Sequence, residues 1–139
     1  MILSQACKYG LRAVVRVAAE GGQPMLSRDI ARELSIPEHF LAKILQDLSK
    51  TGLLLSFKGR GGGFRLARPA ADIRLLEVVQ AIDGPQFGQG CLLGLPECSD
   101  NTPCPMHYQW AEIKTRIMHA LESTRISDVL EQALPADLN

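Results

Sequence analysis

Lys58-Gly59-Arg60-Gly61-Gly62-Gly63-Phe64-Arg65-Leu66 is the stretch on which the reading of this 139-residue chain turns. Glycines adopt positive φ angles without steric cost, so such a run between apolar flanks makes a tight reversal. Leu53-Leu54-Leu55-Ser56-Phe57 before it has strand composition, and Phe64-Arg65-Leu66-Ala67 can return beside it. Lys58, Arg60, Arg65 and Arg68 stand in residues 53–70 without an acidic neighbour, a pattern suited to phosphate contact. An ordinary flexible turn would carry the same glycines. A nucleotide-phosphate loop would not, because it needs a lysine–serine/threonine pair and a helix after the glycines.

The segments before this hairpin are helical. From Ser4 to Glu20, Tyr9, Ala13, Val14, Val17 and Ala18 recur at helical spacing, Ser4 is a suitable N-cap, and Gly21-Gly22-Gln23-Pro24 ends the run. Ser27 to Leu34 reads as a second helix burying Ile30, Ala31 and Leu34. Ser35-Ile36 is a tight joint, and Pro37 suits the first turn of a third helix reaching Lys50. That helix is expected to turn Phe40, Leu41, Ile44, Leu45 and Leu48 inward and to leave Glu38, His39, Ala42, Lys43, Gln46 and Asp47 outward. Three helices followed by a basic hairpin predict a winged helix-turn-helix in residues 1–70.

Composition agrees with a single globular domain over residues 1–139, at 46% hydrophobic and 22% charged. No apolar run approaches the roughly 20 residues of a membrane-spanning helix, and no signal-peptide pattern opens the chain, so a cytoplasmic location is expected. The formal net charge of zero hides a division: residues 1–70 carry +6 and residues 71–139 carry −6. A basic half suited to a polyanion is joined to an acidic half with another task.

Ile73 to Ile82 forms a connecting helix within residues 71–83. Residues 84–105 then contain four Gly and four Pro, which predicts irregular structure and, at this length, a functional loop. From about Pro105 to Glu122 a long helix follows, in which Met106, Trp110, Ile113, Ile117 and Ala120 step by four and three. A coiled-coil-like seam gives this pattern, and so does core packing. Trp110, Ile113 and Ile117 are the candidate dimer contacts on this 105–123 dimerisation helix. Ser127 to Ala133 reads as a last helix and Leu134 to Asn139 as a tail.

The irregular segment 84–107 holds the spacing Cys91-x6-Cys98-x5-Cys104-x2-His107. Thiolates bind soft metals and iron–sulfur clusters, and imidazole can complete a fourth position. The gaps are wider than the close pairs of structural zinc, and no ferredoxin spacing matches. Cys104 stands immediately before the expected long helix. Cys7, within the first helix, is expected in the core, and His119 in solvent. No nucleophile–base pair or paired carboxylates emerge within one loop, which argues against an enzyme.

These features together resemble the IscR/NsrR (Rrf2) winged-helix regulators of bacteria. The resemblance runs through the Ser4–Ala18 helix with Tyr9, the Ile30-Ala31 helix, Lys50-Thr51-Gly52-Leu53, the wing from Lys58 to Leu66, and Cys104-Pro105-Met106-His107 with Trp110 behind it. It implies a homodimer on near-palindromic, double-stranded promoter DNA that senses iron, iron–sulfur supply, nitric oxide or redox state. The implied metal ligands are Cys91, Cys98, Cys104 and His107, holding an iron–sulfur cluster, [2Fe-2S] in preference to [4Fe-4S], with the iron–sulfur assembly machinery as a further partner. The candidate DNA contacts are Ser27, Arg28, Glu38, His39, Lys43, Lys58, Arg60, Gly61 and Gly62. The chain departs from the family in its first cysteine gap, six residues instead of the usual five. It also has Lys8 where some members place a carboxylate ligand, which adds weight to His107 and leaves Cys7 in reserve. The rival readings are a cluster-free thiol-switch regulator of the same fold and a small iron–sulfur carrier, for which a basic wing has no use.

Overall fold

The computed structural model describes residues 2–95 and 100–132. The helices α1 (Gln5–Ala19), α2 (Ser27–Leu34) and α3 (Glu38–Lys50) precede a hairpin of β1 (Leu54–Phe57) and β2 (Gly63–Leu66). A short 3-10 turn, Ala70–Asp72, leads to α4 (Leu75–Asp83), α5 (His107–Ser123) and α6 (Ile126–Gln132). The mainly helical winged-helix expectation holds, with boundaries within two residues of those read from the sequence. The described parts of 84–106 contain no helix and no strand longer than an isolated bridge.

Helix α1 forms because Ser4 caps it, its hydroxyl accepting from the Cys7 N–H at 3.0 Å. Its Ala13, Val14 and Val17 are buried and belong to the same core as Ile30, Leu34, Leu41, Leu45, Leu48, Leu54, Ile73 and Ile126. Gly10 is where α1 meets α4: a Cβ there would overlap the Cδ1 of Ile82 and stand 3.3 Å from Ile44. The absence of a side chain is what allows these helices to approach. At the joint between α2 and α3, Ser35 takes the left-handed conformation at φ 57°, and the Ile36 N–H donates to Ala31 O at 2.9 Å.

The hairpin pairs Leu54 with Leu66 and Phe57 with Gly63 in antiparallel register. An additional bridge, invisible to local pattern, joins Met25 to Phe64 through reciprocal bonds of 2.9 and 2.8 Å. Gly63, at φ 131°, lies so close to Met25 O that any Cβ would collide with it. The wing is therefore fixed to the segment entering α2. One inward expectation fails: Phe40 is 39% exposed. It sits on the first turn of α3, beyond the edge of the core, and meets Tyr9 edge-on at 5.7 Å.

Cys7 is buried as expected, close to Asp83 at the end of α4, which also accepts from the Ser4 N–H at 3.1 Å and from the Ser4 hydroxyl. Burial first, and then the charge and hydrogen bond of Asp83, push the Cys7 thiol from 9.0 up to about 12. Above pH 9 the unfolded chain thus binds fewer protons than the folded one, so stability is full below that pH and falls toward pH 12. The loss is up to about 1.4 kcal/mol per pH unit. Urea unfolding of wild type and Cys7→Ala across this range should give a difference that grows with pH in this sense. Parallel curves would show that Cys7 is not shifted.

Candidate nucleic-acid interface and cysteine site

The joint at Ser35 presents one face of α3, on which Glu38, His39 and Lys43 are exposed. Arg28 is exposed on the first turn of α2, Ser27 beside it is half-buried, and Lys58, Arg60 and Gly61 are exposed at the wing tip. Arg28, Arg60 and Gly61 line one cleft between α2 and the wing, so the wing tip adjoins the first helix of the helix-turn-helix. Gly62 is buried: its N–H donates to Gly59 O at 3.0 Å and a Cβ would stand 2.5 Å from Phe57 O. It shapes the tip from beneath.

Internal pairing divides the basic residues in a way the sequence does not reveal. Arg16 bonds Glu20 at 2.9 Å and Glu33 at 2.5 Å, and Arg32 bonds Asp29 at 2.8 Å. Arg68 is held by Glu77 at 2.6 Å, while Arg65 lies 5.0 Å over the ring of Phe57. Among the described residues, Arg28, Lys43, Lys58 and Arg60 enter no salt bridge. Those four cations project from α2, α3 and the wing tip and are available to neutralise phosphates.

The second feature is the cysteine site. Cys91 lies in the irregular loop and Cys104 three residues before α5, yet their sulfurs approach to 3.9 Å. Two thiolates bound about 2.3 Å from one tetrahedral metal ion lie about 3.8 Å apart. The pair thus fits two positions on one thiolate-ligated iron. The Leu93 N–H points to the Cys91 sulfur at 3.4 Å, as amides do around metal-bound sulfur.

The other expected ligands are placed differently. Cys98 lies outside the described residues. His107 is buried on the first turn of α5, its Nε2 3.0 Å from Asp100 Oδ1 and its ring edge-on to Tyr108 at 4.9 Å. A carboxylate on one ring nitrogen is the usual means of orienting the other toward a metal. Among the described residues no three of His, Cys, Asp or Glu come together as a metal-holding group.

Helix α5 buries His107 but leaves Ile113 43% and Tyr108 63% exposed. Of the three candidate dimer contacts, Ile113 faces outward. Trp110 and Ile117 are half-buried and line a cleft of about 410 Å³ with Phe87, Cys91 and Leu92 of the same chain. The Trp110 Nε1 donates to Gly90 O at 3.3 Å, and Lys114 Nζ donates to the same oxygen at 2.9 Å. Sequence reasoning missed Lys114, although its position four residues after Trp110 puts both on one helix face.

No helix among the described residues is long and apolar enough to cross a membrane. Residues 3–132 match the Rrf2 family, described as iron-dependent transcriptional regulators. An HTH-type transcriptional regulator of Aquifex aeolicus (strain VF5) is 33% identical over 132 residues, 94% of this chain and 92% of that protein. The solved structure of T. potens IscR is 25% identical, with a TM-score of 0.74, over 98% of this chain and 90% of that one. CymR of B. subtilis, the global cysteine regulator of that organism, shares the fold at a TM-score of 0.80 and 22% identity, covering 96% and 99% of the two chains. From the paired helices and wing, and from these likenesses along nearly the whole length, the chain belongs to the Rrf2 family of winged-helix transcriptional regulators and is not an enzyme.

Proposed function

We propose that this regulator is a cytoplasmic homodimer whose affinity for promoter DNA is set by an iron–sulfur cluster held by Cys91, Cys98, Cys104 and His107. The observation that carries the reading is the 3.9 Å approach of the Cys91 and Cys104 sulfurs, brought together from the loop after α4 and the segment just before α5. When bound, such a cluster supplies a redox-sensitive, losable bond between its ligands. Cys104 and His107 tie that bond to α5, and Cys91 ties it to the loop that follows α4. The outward face of α5, with Ile113, meets its counterpart in the second subunit, so the order of the loop sets the spacing of the two DNA-reading heads. The α3 face with Lys43 enters the major groove while Arg60 follows the backbone.

One alternative is favoured by the same sulfurs: thiols 3.9 Å apart can close to a disulfide. The regulator would then be a cluster-free thiol switch. Anaerobic purification with an absorption spectrum and iron and sulfide counts separates the two. Wild type is expected to carry iron and sulfide in equal number. Cys91→Ala, Cys98→Ala and Cys104→Ala should each lose them, and His107→Ala should lose or weaken binding. Wild type without iron or sulfide would leave the thiol switch.

Replacing Arg60 with Ala should weaken binding to operator DNA and lower the salt slope by about one phosphate contact. An unchanged slope would remove the wing from the interface. Ile113→Asp should place an unpaired charge in each half of the α5 interface, a cost of several kcal/mol, and sediment as a folded monomer. A dimeric variant would put the interface elsewhere.

A further inference from the structure

The loop that delivers Cys91 buries little of itself. From Gln89 to Leu95 no residue is buried, and Leu92, Leu93 and Leu95 are 47%, 58% and 47% exposed. Its backbone nevertheless lies against α5. At Gly88, with φ +88°, a Cβ would overlap the sulfur of Met118. At Gly90, with φ +91°, the carbonyl accepts from both Trp110 and Lys114. Trp110, Lys114 and Met118 are spaced at i, i+4 and i+8, one continuous stripe along the helix. Among the described residues Lys114 enters no salt bridge, so its ammonium is directed to this carbonyl. The bonded carbonyl belongs to the residue immediately before Cys91, and Cys104 stands three residues before the same helix.

We propose that Trp110 and Lys114 are positioning residues that, through the Gly90 carbonyl, hold the Cys91 sulfur beside Cys104 and make α5 the common reference for both. The proposal rests on reading these two cysteines as the sensing pair. It adds the mechanical link by which a change at Cys91 is felt two turns along α5, on the face that continues to Ile117. Both donors are needed because the glycines leave the loop free to swing once its carbonyl is released.

The test uses the full-length, cluster-free protein in a Cys98→Ser background, equilibrated with oxidised and reduced glutathione. One cysteine thiolate attacks glutathione disulfide and expels one glutathione thiolate. The second cysteine thiolate displaces the other, and the two protein protons leave on two reduced glutathiones. The ratio of Cys91–Cys104 disulfide to mixed disulfide, read by mass spectrometry, measures how well one sulfur is held near the other. A hydrogen bond of ordinary net strength corresponds to roughly a fivefold change in such a ratio. Lys114→Met and Trp110→Phe should each lower it about fivefold with circular dichroism and melting temperature unchanged, and Lys114→Arg should restore it. An unchanged ratio in either variant would overturn the proposal, as would a loss that Lys114→Arg does not restore. Because no cluster is present in the assay, absence of iron from the wild-type protein would defeat the cluster reading and leave this result standing.

Discussion

The structure depends on the close approach that α1 permits. Gly10 presents so little side chain that Ile82 of α4 and Ile44 of α3 settle directly on the helix, while Ala13, Val14 and Val17 are buried in the common core. Interiors are packed to the density of organic crystals, so such a helix transmits displacement with little loss. The same helix begins at Ser4, whose hydroxyl both caps it and donates to Asp83 at the end of α4. The loop carrying Cys91 leaves from that end. A rigid connection thus runs from the DNA-reading half to the start of the cysteine loop.

Charge is distributed with comparable economy. The basic half holds eleven Lys and Arg, but pairing with Glu20, Glu33, Asp29 and Glu77 neutralises Arg16, Arg32 and Arg68 within the fold. Exposed pairs of this kind contribute little stability, about 0–1 kcal/mol each. Their larger effect is to set Arg16, Arg32 and Arg68 against acids of the fold, while Arg28, Lys43, Lys58 and Arg60 are exposed and enter no salt bridge among the described residues. The bridge between Met25 and Phe64 then sets where Arg60 stands relative to Arg28, because it fixes the base of the wing to the entry of α2.

Much of this was legible in the sequence because it follows from local rules. Ser4 as a cap, the glycines at the wing tip and the apolar period of α1 to α3 each act over a few residues, and the corresponding elements appear where expected. What was not legible is long-range. Helical spacing placed Phe40 inward, but on the first turn of α3 it meets Tyr9 edge-on and stays 39% exposed. The stripe on α5 nominated Trp110 and Ile117 as contacts with a second subunit or with the chain's own core, and only the folded chain shows that both line a cleft with Phe87, Cys91 and Leu92. No pattern in a Gly/Pro-rich segment says which sulfurs converge. The spacing could nominate Cys91 and Cys104, but only the folded chain puts them 3.9 Å apart.

The account holds that order at the cysteine site, carried through α5, governs how the paired heads meet DNA. The most direct measurement is operator affinity of one preparation before and after its iron and sulfide are removed by chelation under anaerobic, reducing conditions, at a single salt concentration. A change of tenfold or more, reversed when iron and sulfide are restored, is the predicted result. Identical affinity in the two states, with both preparations dimeric, would contradict the account.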